Sequence, residues 1–260
     1  GGIGTVFQAV READGKLVAL KTIQPRQTGQ SEPLQRFLRE TTVLRALDHP
    51  HIISMEDFGE ADNLLYIAMA YVPGIDGEKL VEQEGPLGVS RVARLGCQLL
   101  EALEYAHARG FVHRDIKPGN LLVSTLSQGE HLRLADFGLA RAYQVSRLSG
   151  LSLSGAVGGT PAFMAPEQVT HFRDVGPPAD LYSVSATLYN LLTAAFTYNF
   201  APTVAGRLSQ LLQEDPIPIL ERRPELPEDL AEIIHRGLAR QRKVRFENAR
   251  TFRRELQRFA

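Results

Sequence analysis

Apolar positions recur along this chain with two different periods, and the change falls at the Pro73-Gly74 break. Before it, three short runs are built from β-forming residues, TVFQAV, LVALKTI and LLYIAMAYV. They are interleaved with one helical stretch, EPLQRFLRETTVLRAL, in which Leu34, Phe37, Leu38, Leu44 and Leu47 return at the spacing of a single helix face. After the break the period is helical. VSRVARLGCQLLEALEYAHARG is expected to close at Gly110 as a C-cap, and ADLYSVSATLYNLLTAA, TVAGRLSQLLQ, PEDLAEIIHRGLAR and ENARTFRRELQRF follow. The pattern predicts a small strand-rich lobe with one helix over residues 1–72 and a larger, mainly helical lobe over 73–260. The Gly- and Ser-rich stretch 143–160 has no apolar period and reads as a loop. No internal repeat is found.

Composition narrows the function without naming it. The chain's 260 residues suffice for one large core or two modest lobes. Its 29 basic residues against 30 acidic give no bulk charge that would point to nucleic acid or an anionic membrane as partner. Binding must therefore come from a local site. The single cysteine, Cys97, excludes an internal disulfide, fits a reducing, cytoplasmic setting, and sits in a helical pattern that predicts a packed side chain rather than a nucleophile. The longest strongly apolar run, 64–72, is too short to span a bilayer. No membrane contact is expected of these residues, whatever anchors a longer parent chain.

The chemistry concentrates in FVHRDIKPGNLL, residues 111–122, where Asp115, Lys117 and Asn120 stand between apolar flanks. In an extended loop a carboxylate can take the proton of an incoming hydroxyl, a lysine two residues on can reach a phosphate oxygen, and an Asn amide oxygen can ligate Mg²⁺. A polar loop whose Asp and Asn merely cap a helix would need less. The full string HRDIKPGN is far more specific than that alternative requires.

With that string, the sequence resembles the eukaryotic-type Ser/Thr protein kinase family, bacterial members included, over almost its whole length. The resemblance implies an α+β, two-lobed fold. It implies Asp115 as catalytic base, Lys117 as a contact to the transferring phosphate and Asn120 as a metal ligand, with His113 structural and Arg114 a receptor for an activating charge. Downstream, LADFGLA offers Asp136 as the second metal ligand and Phe137 as a residue packing toward the small lobe's helix; alone, Asp-Phe-Gly would read as a turn. Lys21 in LVALK would hold the α- and β-phosphates and Glu40 would orient it, although a lone Lys or Glu is usually a surface charge.

The same resemblance assigns the nucleotide pocket. GGIGTVFQA looks like the end of a glycine-rich strand-turn-strand, with Gly1 and Gly4 as its second and third glycines, Gly2 between them and Val6 over the adenine. A Gly-Gly-x-Gly run by itself fits any tight turn. The family's first glycine and most of its first strand would lie before residue 1, and the chain is read as a domain of a longer protein. Ala19 and Leu122 would neighbour the adenine, Met69 would guard the rear pocket, and backbone groups of Ala70 and Val72 would bond the adenine edge. Asp76 or Glu78 would reach the ribose, with a solvated acid as the equal alternative.

GTPAFMAPEQ resembles the end of an activation segment, where Thr160 would bond Asp115 and Lys117. Glu167 would pair with Arg245, and Asp180 would brace the catalytic loop. Ser185 replaces a common Gly and Gln241-Arg242 a common Asp-Pro. Ser146, Ser149, Ser152 and Ser154 are candidate phosphorylation sites, or simply part of a flexible segment. The expected reaction is ATP- and Mg²⁺-dependent phosphorylation of protein Ser or Thr, with Mn²⁺ as an alternative ion. A pseudokinase scaffold is disfavoured by the presence of Lys21, Asp115, Asn120 and Asp136 together, and a small-molecule phosphotransferase by the peptide-platform element GTPAFMAPE. Gly119 gives no support for an Arg-directed substrate preference.

Overall fold

The computed structural model describes residues 5–23, 45–61, 64–127, 129–136, 161–170 and 175–260. The expected glycines Gly1, Gly2 and Gly4, the helix carrying Glu40, the Phe137 position, the serine-rich loop and Thr160 lie outside these residues.

Four antiparallel strands form the first sheet: β1 (Thr5–Val10), β2 (Leu17–Ile23), β3 (Met55–Ala61) and β4 (Leu64–Ala70), in the order β1-β2-β4-β3. The three apolar runs become β1, β2 and β4. β3, MEDFGEA, is a strand that the hydrophobic pattern does not predict, because it is an edge strand carrying three acids. One of them, Glu56, pairs with Arg11 at 2.7 Å and with Lys16 at 2.5 Å from the β1–β2 turn, while Phe58 packs on the core. The register sets Lys21 opposite Val6 on one side and Ile67 on the other, and Ala19 opposite Met69.

A second antiparallel sheet, β5 (Ile75–Asp76), β6 (Leu121–Leu126) and β7 (Gly129–Leu134), lies within the helical part. The sequence pattern does not predict this sheet either, since its strands are short and interrupted by Ser, Thr and charged residues. The helices are α1 (Gly77–Glu84), α2 (Val89–His107), α3 (Pro166–Thr170), α4 (Pro177–Thr193), α5 (Val204–Gln213), α6 (Ile219–Arg222), α7 (Glu228–Gly237) and α8 (Ala249–Leu256). The large periodic stretches thus fold as helices, and α1 is an addition. α2 ends at His107 rather than at Gly110; the glycine lies just beyond it at φ 80°, its N–H closing on the His107 carbonyl at 3.0 Å. Among the described residues no helix is long and apolar enough to cross a membrane.

α4 is the axis of the helical core, with every residue from Ala179 to Tyr189 buried. A helix that is apolar on all sides must be enclosed, and α2, α6 and α7 pack around it. The departure at Ser185 is matched by its neighbour: a Cβ on Gly237 of α7 would lie 1.8 Å from the Ser185 hydroxyl. Gly237 leaves the room that the Ser185 side chain occupies. Cys97 sits half-buried on α2, and burial pushes its thiol up to about 11, which keeps it protonated and unreactive near neutrality.

Besides the covalent connection after β4, the two sheets meet at a strand-like bridge between Ile52 and Leu134. There the Ile53 N–H donates to the Leu134 carbonyl at 3.0 Å and the Leu134 N–H to the His51 carbonyl at 2.9 Å.

Candidate active site

The loop between α2 and β6 is shaped by one buried carboxylate. Asp180, in the first turn of α4, is fully buried and accepts the backbone N–H groups of His113 and Arg114, each at 2.8 Å. A third contact comes from His107 Nε2 at 2.8 Å; because the carboxylate only accepts, that nitrogen carries the proton. Burial acts to raise the Asp180 carboxyl, but the His107 hydrogen bond and the Arg114 N–H hold it below the ordinary carboxylate value. The anion also benefits from the α4 N-terminus. These bonds stabilise an unusual backbone: Arg114 adopts φ 69°, a left-handed conformation uncommon for a residue with a long side chain. Its carbonyl accepts from Gln168 Nε2 at 2.8 Å, and Gln168 Oε1 in turn accepts the Ala165 N–H at 2.9 Å.

His113 is completely buried and links this loop to β7. Its Nδ1 accepts the Asp115 N–H at 3.2 Å, so the proton is on Nε2, which donates to the Ala135 carbonyl at 2.9 Å. Beyond it, the Asp115 carboxylate accepts from Lys117 Nζ at 2.8 Å and from Asn120 Nδ2 at 3.2 Å. Pro118 starts a single 3₁₀ turn, Pro118–Asn120, that brings Asn120 back against the loop, where Nδ2 also donates to the Asp115 carbonyl at 2.6 Å. With its amide nitrogen so committed, Asn120 has Oδ1 left as an acceptor.

β7 runs directly into the last group. The Ala135 N–H donates to the Asn120 carbonyl at 2.8 Å, and Asp136 follows in a left-handed conformation, φ 57°. Asp136 Oδ2 lies 2.6 Å from Nζ of Lys21, whose side chain is 8% exposed on β2 of the other sheet. Lys21, Asp136, Asn120, Asp115 and Lys117 are thus linked by one run of contacts from the first sheet to this loop. A carboxylate and an amide oxygen are hard donors of the kind that bind Mg²⁺ together with water and phosphate oxygens, so Asp136 and Asn120 fit that ion.

The remaining predicted residues distribute as follows. Val6 is exposed on β1, Met69 and Val72 are buried where the chain leaves the first sheet, and Leu122 lies in β6 opposite Asp76. The Ala70 N–H is already donated to the Ser54 carbonyl at 2.9 Å. Asp76 has a structural task that the sequence reading did not foresee: it is the N-cap of α1 and accepts the Lys79 N–H at 2.9 Å. Glu78 reaches toward Gly119, where an added Cβ would come within 3.1 Å of its Oε2. Glu167 and Arg245 form a buried two-point pair at 2.7 and 2.8 Å. The other Arg245 N–H groups are taken by the Ala239, Pro178 and Arg240 carbonyls.

Comparison with known proteins identifies the family. The model of the protein kinase domain matches residues 1–255. Serine/threonine-protein kinase pkn3 of Myxococcus xanthus is 35% identical over 262 residues, spanning 99% of this chain and 48% of the relative. PknF of Mycobacterium tuberculosis is 35% identical over 260 residues, 98% of this chain and 53% of the relative. The chain therefore spans about half the length of these curated relatives. Among solved structures, the Mycobacterium tuberculosis PknI kinase domain superposes with a TM-score of 0.77 at 30% identity, covering 100% of this chain and 92% of that one. Rad53 1-466 in complex with AMP-PNP gives 0.79 at 25% identity, covering 97% and 61%.

Proposed function

The chain belongs to the protein kinase domain family, and from that premise we propose that it transfers the γ-phosphate of ATP to serine or threonine hydroxyls of proteins. The observation that carries the reading is the continuity of contacts between these residues. Lys21 on one sheet meets Asp136 at 2.6 Å, and a hydrogen-bonded path through Ala135 and His113 joins Asp136 to Asp115.

In this reading the Asp115 carboxylate orients the acceptor hydroxyl and takes its proton as the oxygen bonds to the γ-phosphorus and the bond to the β,γ-bridging oxygen breaks, releasing ADP. Lys117 neutralises charge on the moving phosphoryl group, and Lys21 holds the α- and β-phosphates. Asn120 and Asp136 would hold Mg²⁺, which supplies charge neutralisation between the phosphates. Such catalysis is mostly positioning and electrostatics, the work a fixed hydrogen-bonded frame is suited to. Glu40, Phe137 and Thr160 keep the roles the resemblance implies, as do the glycine-rich residues.

Phosphorylation within the serine-rich segment 143–160 is the proposed mode of regulation, with Arg114 next to Asp115 as the element that answers it. Phosphosite mapping of active protein that finds this segment unmodified would remove the regulatory part. The activity itself is tested by incubating the chain with Mg-ATP and a generic protein substrate beside Asp115→Asn and Lys21→Met. Both variants are expected to lose phosphate incorporation. Equal incorporation by all three would overturn the proposal.

A further inference from the structure

A concavity with a volume of about 380 Å³ lies on the helical part, lined by none of Lys21, Asp115, Lys117, Asn120 and Asp136. One wall is Ala162, in the turn Pro161–Phe163; the others are Phe196, Tyr198 and Phe200 from the segment after α4, Arg207 of α5 and Arg222 of α6. The aromatic rings brace one another: Phe163 meets Phe196 edge-on with centroids 5.9 Å apart, and Tyr198 lies 5.3 Å from Phe200. Even so, Phe196 stays 42% exposed.

Two arginines give this cavity a positive charge. Neighbouring arginines have acidic partners, Arg223 with Glu225 at 2.8 Å and Arg240 with Asp215 at 3.0 Å. Arg207 and Arg222 form no ion pair with any described carboxylate. They are held by uncharged oxygens: Arg207 Nε donates to the Ala201 carbonyl at 2.8 Å, and Arg222 bonds the Asn199 side chain. Two positioned guanidiniums beside the exposed Phe196 ring have the chemistry to receive a carboxylate on an apolar peptide.

Its place ties it to the reaction. Ala162 stands three residues before Ala165, which is joined through the Gln168 side chain to the Arg114 carbonyl, next to Asp115. From the Ala162 wall that path is about 20 Å, which an extended peptide covers in roughly six residues.

We propose that this cavity selects protein substrates carrying an Asp or Glu beside an apolar residue within about six positions of the acceptor hydroxyl, with Arg207 and Arg222 as the specificity-determining residues. This rests on the kinase reading above and names its substrate class. The test compares three serine peptides that differ only in the flanking position, bearing Glu, Gln or Lys next to Leu. For each, kcat/KM is measured on the unaltered chain and on Arg207→Ala/Arg222→Ala and Arg222→Glu. The unaltered chain is expected to prefer Glu over Gln by roughly tenfold, the range of a charge-assisted hydrogen bond. The double variant should bring that ratio toward one, and the charge reversal should favour Lys. Equal use of Glu and Gln peptides by the unaltered chain overturns the inference while leaving the kinase reading intact. Should no peptide be phosphorylated, the kinase reading fails, and fluorescence anisotropy of the same labelled peptides then decides the inference separately. Tighter binding of the Glu peptide, lost in the double variant, supports it, and indifference to the flanking residue overturns it.

Discussion

Replacing Asp180 by alanine removes the side chain that accepts two consecutive backbone N–H groups of the loop carrying Asp115. Two buried N–H groups, those of His113 and Arg114, lose acceptors at 2.8 Å, and His107 loses its partner. A buried donor left unsatisfied costs roughly 1–3 kcal/mol, so the pair alone implies about 2–6 kcal/mol. Against a typical total stability of about 5–15 kcal/mol this is a large loss. At about 2–4 °C per kcal/mol for a chain of this size, the melting temperature should fall by roughly 10 °C. Asp180→Asn keeps one acceptor oxygen but turns an amide nitrogen toward the other N–H, and should lose about half as much.

Activity should fall further than stability alone explains, because Arg114 holds φ 69° one residue from Asp115 and relaxes once released. A misplacement of about 1 Å in a reacting group is enough for a ~100-fold loss. The assay is thermal unfolding followed by circular dichroism at pH 7, with kinase turnover measured below the transition. The pH matters for sign. Asp180 is held below its ordinary 3.8, so its contribution is complete above that value and is lost only as pH falls through the lower, folded-state value. An Asp180→Ala protein within about 1 kcal/mol of the unaltered one at pH 7 would refute the reasoning.

Other parts of the structure give equally direct expectations. Gly237→Ala should destabilise by several kcal/mol, since its Cβ would stand 1.8 Å from the Ser185 hydroxyl; combining it with Ser185→Gly should restore most of the loss, measured by urea unfolding. Arg245→Met should cost about 3 kcal/mol by leaving buried Glu167 with only the Arg242 guanidinium, at 3.5 Å, as a cationic neighbour, whereas Glu167→Gln/Arg245→Met together should cost less, a double-mutant cycle that chemical denaturation can read. Burial, chiefly, holds His49, His51 and His235 below 6.5, and His235 Nε2 accepts the Ile219 N–H at 2.9 Å, which requires a neutral ring. Stability from these groups is complete above pH 6.5 and declines as pH falls below it, so melting temperatures across pH 7.5 to 5 should drop; His235→Gln should flatten part of that slope.

Much of the site was legible because its residues are local in sequence. Asp115, Lys117 and Asn120 occupy one short loop whose spacing already specifies a carboxylate, an ammonium and an amide in reach of one another, and Asp136 follows a short strand hairpin later. The periodic helices were legible for the same reason. β3 was not, because three acids mask its apolar face, and its charge balance comes from Arg11 and Lys16 on a distant turn. The capping role of Asp76 is not legible in the sequence because it depends on where a helix starts, and α1 has too few apolar residues to announce itself. The Ser185–Gly237 contact and the two arginines of the cavity join residues that only the folded chain brings together, so no spacing could have disclosed them.

The bridge between Ile52 and Leu134 has a mechanical meaning. Among the described residues the first sheet is joined to the rest by the covalent strand end at Ala70, by this backbone seam and by the Lys21–Asp136 ion pair, and the first two define a pivot line. Leu134 stands two residues from Asp136, so that acid sits close to the line and would travel little during any swing. The free margin of the sheet at β1, farthest in strand order from the seam, would sweep the widest arc. Opening and closing would then change access to the proposed catalytic residues while leaving Asp136 in register.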